Sequence, residues 1–154
     1  MKKYISFLLA AVLLLCLCAC GHSSADPDMN TVSGAVREAA DSTDMTDTPD
    51  SYIENMINLP ADSYSECYAR ISNVGININE FGVFKTDTPD DVEDALEAYL
   101  QFRKDTWMEE YLPQEYPKLE HAEIWRAGCY VMYIIADGAT MDKAETAFKG
   151  CFEG

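Results

Sequence analysis

Basic side chains are scarce in this chain of 154 residues: 11 lysines and arginines stand against 27 aspartates and glutamates, a formal net charge of −16. Those beyond the first twenty positions, among them Arg70, Lys85, Arg103, Lys104, Lys118 and Arg126, form no run or stripe. Nucleic acid is therefore not expected as a partner, because phosphates repel a chain this negative. Direct attraction to anionic headgroups is disfavoured for the same reason, and the charge reads as a solvated surface that keeps the protein soluble. Histidine is rarer still. His22 and His121 alone cannot assemble a histidine-centred triad or a multi-histidine metal site, and His121 reads as an ordinary surface residue.

Other signatures are missing too. There is no Gly-x-Ser-x-Gly elbow, no phosphate loop and no dinucleotide fingerprint, so neither a cofactor nor a catalytic residue is predicted. Past residue 20 only Cys67, Cys129 and Cys151 remain, an odd number without Cys-x-x-Cys or paired Cys/His spacing. Small buried thiols are the favoured reading of these three, with a single disulfide second. Asp87, Asp90, Asp91 and Asp94 lack the Asp-x-Asp-x-Asp-Gly order of a calcium loop and read mainly as helix capping, so no metal site is predicted.

Only one long apolar run exists, Tyr4 to Leu17, interrupted by Ser6 and preceded by Met1-Lys2-Lys3. This is the charged-then-apolar plan of a signal peptide, and it is shorter than the roughly 20 residues a spanning helix needs. Its end, Leu17-Cys18-Ala19-Cys20-Gly21, resembles the lipobox of bacterial lipoproteins, with Cys18 a mild departure. Residues 1–19 are accordingly expected to be cleaved, and Cys20 to carry a diacylglyceryl anchor. Two acyl chains suffice for stable attachment, so the predicted partner is the lipid bilayer at the extracytoplasmic face of the membrane. Loss of Lys2 and Lys3 would leave nine basic against 27 acidic residues, formally −18.

From Gly21 to Asp50 the chain is rich in Ser, Thr, Asp, Ala and Gly and has no aromatic residue. The reading for residues 20–50 is a disordered tether with an end-to-end spread of order 30 Å. Val32 to Ala40 has some helical character, with nothing local to hold it.

Residues 51–154 read as the folded domain. Ser51 to Glu54 has capping-box spacing, and Pro60 ends the helix it opens. Glu66 to Asn73 alternates like a half-buried strand, and Asn77 to Thr86 reads as its partner, with Gly82 marking a bulge or a close backbone approach. Thr88 and Pro89 open a helix whose stripe contains Val92, Leu96, Tyr99, Phe102, Arg103 and Trp107. Ala122 to Trp125 and Cys129 to Ala136 form a hairpin, the second strand central, and Met141 to Phe152 is a last helix. The predicted fold is α+β in the order α-β-β-α-β-β-α: two layers, an antiparallel sheet of about four strands with helices on one face.

The lipobox, the strand Ile78-Asn-Glu-Phe-Gly-Val-Phe-Lys85, the helix from Val92 ending Gln101-Phe-Arg-Lys104, the loop from Tyr111 to Pro117 and the hairpin Ala127-Gly-Cys-Tyr-Val131 together resemble the DUF4358 family. Its members are lipoproteins of Clostridia and their relatives without an assigned function. The resemblance covers the chain from about Tyr52 onward. It implies a Gram-positive cell surface and supplies no catalytic residues.

Three side chains are candidates for binding. Arg103 lies on an apolar stripe and invites a buried ion pair or an anion contact, against the alternative of a stem along the core with its head in water. Tyr111 and Tyr116 join aromatic faces to the stiffness of Pro113 and Pro117, which suits recognition, although packing under the helix end is the favoured reading of that loop. The functional expectation is a non-enzymatic binding or accessory module with an envelope protein or peptide partner. The alternative is an envelope hydrolase using paired carboxylates, Glu109 with Glu110 or Glu120 with Glu123.

Overall fold

The computed structural model describes residues 26–41, 43–108 and 110–153. The predicted leader 1–19 and Cys20 lie outside the described residues. In chain order the elements are α1 (Met29–Ala40), β1 (Met45–Asp47), α2 (Asp50–Tyr52, running on into a π-helical turn, Ile53–Ile57), β2 (Glu66–Ser72), β3 (Glu80–Lys85), α3 (Pro89–Asp105), α4 (Tyr116–Glu120), β4 (Glu123–Ala127), β5 (Tyr130–Ile135) and α5 (Gly138–Gly150). The strands make one antiparallel sheet in the order β1-β2-β3-β5-β4. The α+β class and the antiparallel sheet agree with the sequence reading, with one strand more than expected.

Side chains of a strand alternate between faces, so the two central strands, apolar at nearly every position, need cover on both. Phe81 and Val83 of β3 and Tyr130, Met132 and Ile134 of β5 pack against Val32 and Val36 of α1 and Ala144 and Phe148 of α5. Phe84, Val131, Tyr133 and Ile135 take the opposite face, under Ile53 and Ile57 of α2, Val92, Leu96 and Tyr99 of α3, and Leu119 of α4. The expectation of helices on one face is thus corrected. Two helical layers sandwich the sheet, because β5 is buried at all six positions and a single layer would leave half of them in water.

The reading of residues 20–50 as a disordered tether is corrected from Asp28 onward. Met29, Val32, Val36 and Ala40 recur at three and four residue steps and are buried. Full burial of a valine is worth about 1.5–3 kcal/mol, and Val32 and Val36 both reach it, so tertiary packing supplies what the local sequence lacks. Asp28 caps the helix, its Oδ1 accepting from the Thr31 backbone N–H at 3.1 Å, and Asp137 caps α5 through Thr140 in the same way. Arg70 of β2 then fastens the segment to the sheet edge, donating to Asp41 Oδ1 at 3.2 Å, Asp47 Oδ1 at 2.7 Å and the Met45 carbonyl at 2.6 Å.

Gly82 sits in an unbroken ladder, opposite Ala69 and Tyr133. Of the two readings for it, the close approach is the one realised: a Cβ there would lie 2.6 Å from Tyr133 Cε1. Cys67, Cys129 and Cys151 are free thiols, each partly buried. Among the described residues no helix is long and apolar enough to cross a membrane.

Candidate functional site

A carboxylate lies where the core should be apolar. Glu80 opens β3 and is 1% exposed, on the face that alternation shares with Gly82 and Phe84. An ion buried there must be paired and hydrogen-bonded, since desolvating it otherwise costs several kcal/mol. Four side chains meet that demand. Tyr133 from β5 and Tyr99 from α3 donate to Glu80 Oε1, the latter at 2.8 Å, while Arg103 donates to Oε2 at 2.8 Å. Tyr52 of α2 completes the group, its hydroxyl 3.5 Å from Glu80 Oε2 and 2.8 Å from the Tyr99 hydroxyl.

The sequence assembles this cluster through simple spacing. Tyr99 and Arg103 are four residues apart and so stack on one face of α3, with the guanidinium carbon 5.6 Å from the Tyr99 ring centroid. Arg103 Nη1 also donates to Tyr99 at 2.6 Å and to Tyr52 at 3.4 Å. Burial first, and then the Glu80 charge, hold the phenols of Tyr99, Tyr133 and Tyr52 above their usual range, so they are donors at neutral pH. Burial works against the charge of Arg103, but the oxygens of Tyr99, Glu80 and Tyr52 outweigh it and the guanidinium is held more firmly protonated than usual. Arg103 therefore takes the buried ion pair that its position invites. At 18% exposure its side chain still borders water.

Next to the cluster, α2 and α3 leave a groove of about 300 Å³ lined by Met56, Ile57, Ala95, Ala98, Tyr99 and Phe102. The π-helical turn that forms one wall ends at Asn58, which adopts a left-handed conformation at φ 60°. Met56 and Phe102 are exposed on the rims of this groove.

Beyond the C-terminal end of α3, two loops carry a second exposed apolar group. Ile76 is 71% and Met108 67% exposed, with Val74 and Tyr111 also exposed. The loops are tied to one another. The Tyr111 hydroxyl donates to the Gly75 carbonyl at 3.3 Å, and Glu115 Oε2 accepts from the Ile78 backbone N–H at 3.1 Å and from Lys118 at 2.8 Å. Lys118 also reaches Asn79 Oδ1 at 3.0 Å. Tyr116 does not join this surface: it is half-buried, 6.2 Å from the Trp107 ring, and packs under the helix end.

Of the three candidates, then, Arg103 belongs to the buried cluster, Tyr111 to the exposed tip, and Tyr116 to the packing beneath. Glu80, Tyr52, Tyr99 and Tyr133 were missed as a group, although a glutamate directly before the apolar run Phe81 to Phe84 and an arginine on an apolar stripe were each readable as halves of one pair. Of the carboxylate pairs, Glu109 lies outside the described residues, and Glu120 and Glu123 are exposed on either side of the connection from α4 to β4. Asp90 is engaged by Arg126. Among the described residues no group of three or more His, Cys, Asp or Glu side chains is placed to hold a metal ion.

No curated protein and no solved structure matches the chain. Residues 38–136 match a family model described as a domain of unknown function, which takes in β1 through β5 and every member of the Glu80 cluster. With that match over more than half of its length, the chain belongs to the DUF4358 family.

Proposed function

We propose that the chain is a lipoprotein of the extracytoplasmic face of the bacterial membrane, anchored through Cys20, and that its domain is a non-enzymatic binding module for an envelope protein. The address rests on the charged start, the apolar run and the lipobox. The binding half rests on the tip formed by Val74, Ile76, Met108 and Tyr111. Single exposed apolar residues are ordinary on a protein surface, whereas several on two loops cross-tied by hydrogen bonds form a contact surface that loses little entropy on docking. The Glu80 cluster supports the same reading from below. Its groups hydrogen-bond one another, so it holds α2 and α3 against the sheet at the end where the tip sits. Nothing in the placement of Glu120 and Glu123 favours the hydrolase reading.

The test uses the full-length lipidated chain as bait in a crosslinking pull-down from envelope extract, beside a variant carrying V74S, I76S, M108S and Y111S. A partner recovered by the natural chain and reduced at least tenfold by the variant, with an unchanged melting temperature, is expected. Failure to recover any partner after crosslinking, or equal recovery by both, would refute the binding reading. Intact mass of the extracted protein checks the anchor separately, since the diacylglyceryl increment must disappear in Cys20→Ala.

A further inference from the structure

The two edges of the sheet are protected unequally. A strand at an edge carries backbone N–H and C=O groups that no neighbour uses, a template for a further strand. β1 is three residues long, its Met45 carbonyl accepts from Arg70 at 2.6 Å, and Pro49 follows Thr48 at its end. That edge is closed. β4, at the other edge, has five residues and pairs only with β5.

The direction of its free groups follows from the ladder. The Thr86 N–H donates to the Cys129 carbonyl at 2.9 Å. Alternation along β5 then turns the backbone of Val131, Tyr133 and Ile135 toward β3 and that of Tyr130, Met132 and Ile134 toward β4. Ala127, Trp125 and Glu123 answer the second set from β4. The N–H and C=O groups of Ile124 and Arg126 therefore point out of the sheet, and no hydrogen bond from the described residues reaches them.

Beside this edge, α3 and β4 enclose a groove of about 710 Å³ lined in part by Glu93, Asp94, Glu97, Leu100, Lys104 and Ile124. Asp94 and Glu97 meet no cation among the described residues, and Arg126, 4.0 Å from Glu93, is engaged with Asp90. Lys104 donates to the Glu120 carbonyl at 3.3 Å. The groove is thus acidic over an apolar floor. Side chains of a strand added to β4 would alternate between faces, so every second one would enter it.

We infer that the β4 edge receives an extended segment of a partner protein as a sixth strand, with lysine or arginine at alternate positions set against Glu93, Asp94 and Glu97. Main-chain hydrogen bonds to Ile124 and Arg126 hold the segment, and the groove selects its side chains. A second copy of this chain is the poorer occupant, because two β4 edges meeting would set acidic grooves side by side in molecules that each carry a formal charge of −16. The site shares no residue with the apolar tip and does not depend on the anchor.

The experiment takes the extracted full-length chain at about 0.15 M salt. Three labelled probes are compared by fluorescence anisotropy: an alternating Lys/Val octapeptide, its Glu/Val counterpart, and the Lys/Val peptide methylated on every backbone nitrogen. The Lys/Val peptide is expected to bind at least tenfold more tightly than either of the others. It should also slow hydrogen exchange of the Ile124 and Arg126 amides at least tenfold while leaving those of Val74 and Ile76 unchanged. Combining Glu93→Gln, Asp94→Asn and Glu97→Gln should weaken binding at least tenfold at an unchanged melting temperature. No binding of the Lys/Val peptide overturns the site. Equal binding of the methylated peptide, or unchanged exchange at Ile124 and Arg126, reduces the contact to charge attraction and overturns strand addition. Protection of the same two amides that grows with protein concentration, without peptide, makes a second copy the occupant and overturns the partner assigned here.

Discussion

Replacing Arg103 by methionine keeps most of the side-chain volume and removes the only cation that reaches Glu80 among the described residues. Breaking a buried ion pair by deleting one partner costs about 3–5 kcal/mol, because the remaining charge stays desolvated. Here the lower end applies, about 3 kcal/mol, for two reasons. Arg103 borders water, so solvent enters where it leaves, and Glu80 keeps the hydroxyls of Tyr99 and Tyr133. Glu80→Gln alone is expected to cost about 1.5 kcal/mol, since the guanidinium retains Tyr99 and its access to solvent. The double variant has no orphan charge and should lose about 2.5 kcal/mol, giving a coupling of about 2 kcal/mol. Urea unfolding followed by the fluorescence of Trp107 and Trp125 reads this directly. With m of about 1–3 kcal/mol/M, the midpoint of Arg103→Met should fall by at least about 1 M at unchanged m. A loss under about 1 kcal/mol, or additive single losses, would show that the pair behaves like a surface contact and refute the argument.

Other perturbations test other parts of the fold. Gly82→Ala places a methyl 2.6 Å from the Tyr133 ring, packed too tightly to yield, and should cost about 1–3 kcal/mol in the same urea assay, whereas a neutral result would mean the ring moves freely. Val36→Asp puts a carboxylate into the packed face of α1; rapid tryptic cleavage at Arg37 is expected in the variant and not in the natural chain, and equal cleavage of both would restore the tether reading. Alkaline pH should destabilise the fold. Burial raises the Cys67 thiol from 9.0 to about 12, and the phenols of Tyr99 and Tyr133 also stand above their usual range. The unfolded chain therefore releases these protons first, and stability present below pH 9 falls as pH rises through 9 and more steeply above 10. Tyrosine absorbance should show a class of phenols that ionises only on unfolding; complete titration of a still-folded protein near pH 10 would contradict their burial.

Several elements were legible from residue order because their cause is local. The Thr88-Pro89 start and the apolar stripe of α3, the continuous apolarity of β5, and the Gly128 turn, where φ is 59°, each follow from capping, periodicity or a required backbone conformation. The helix α1 was not legible. Some helical character from Val32 to Ala40 was readable, but four modest apolar residues amid Ser, Thr and Asp cannot hold a helix in water. They do so only because β3, β5 and α5 leave a face that needs covering. Arg103 was marked by its place on an apolar stripe, while its partner came from an element outside that helix, and no spacing rule relates positions on different elements.

Residue order alone therefore determined the charge of this protein, the expected address at Cys20, the class of fold and the stripes that face the core, all of which depend on composition or on neighbours along the chain. Tertiary structure decided the number of layers, the pairing of Glu80 with Arg103, and the joining of Tyr111 to the loop that bears Ile76. These depend on which surfaces meet, and contacts between residues twenty or more positions apart are set by the burial of whole faces and not by any local preference.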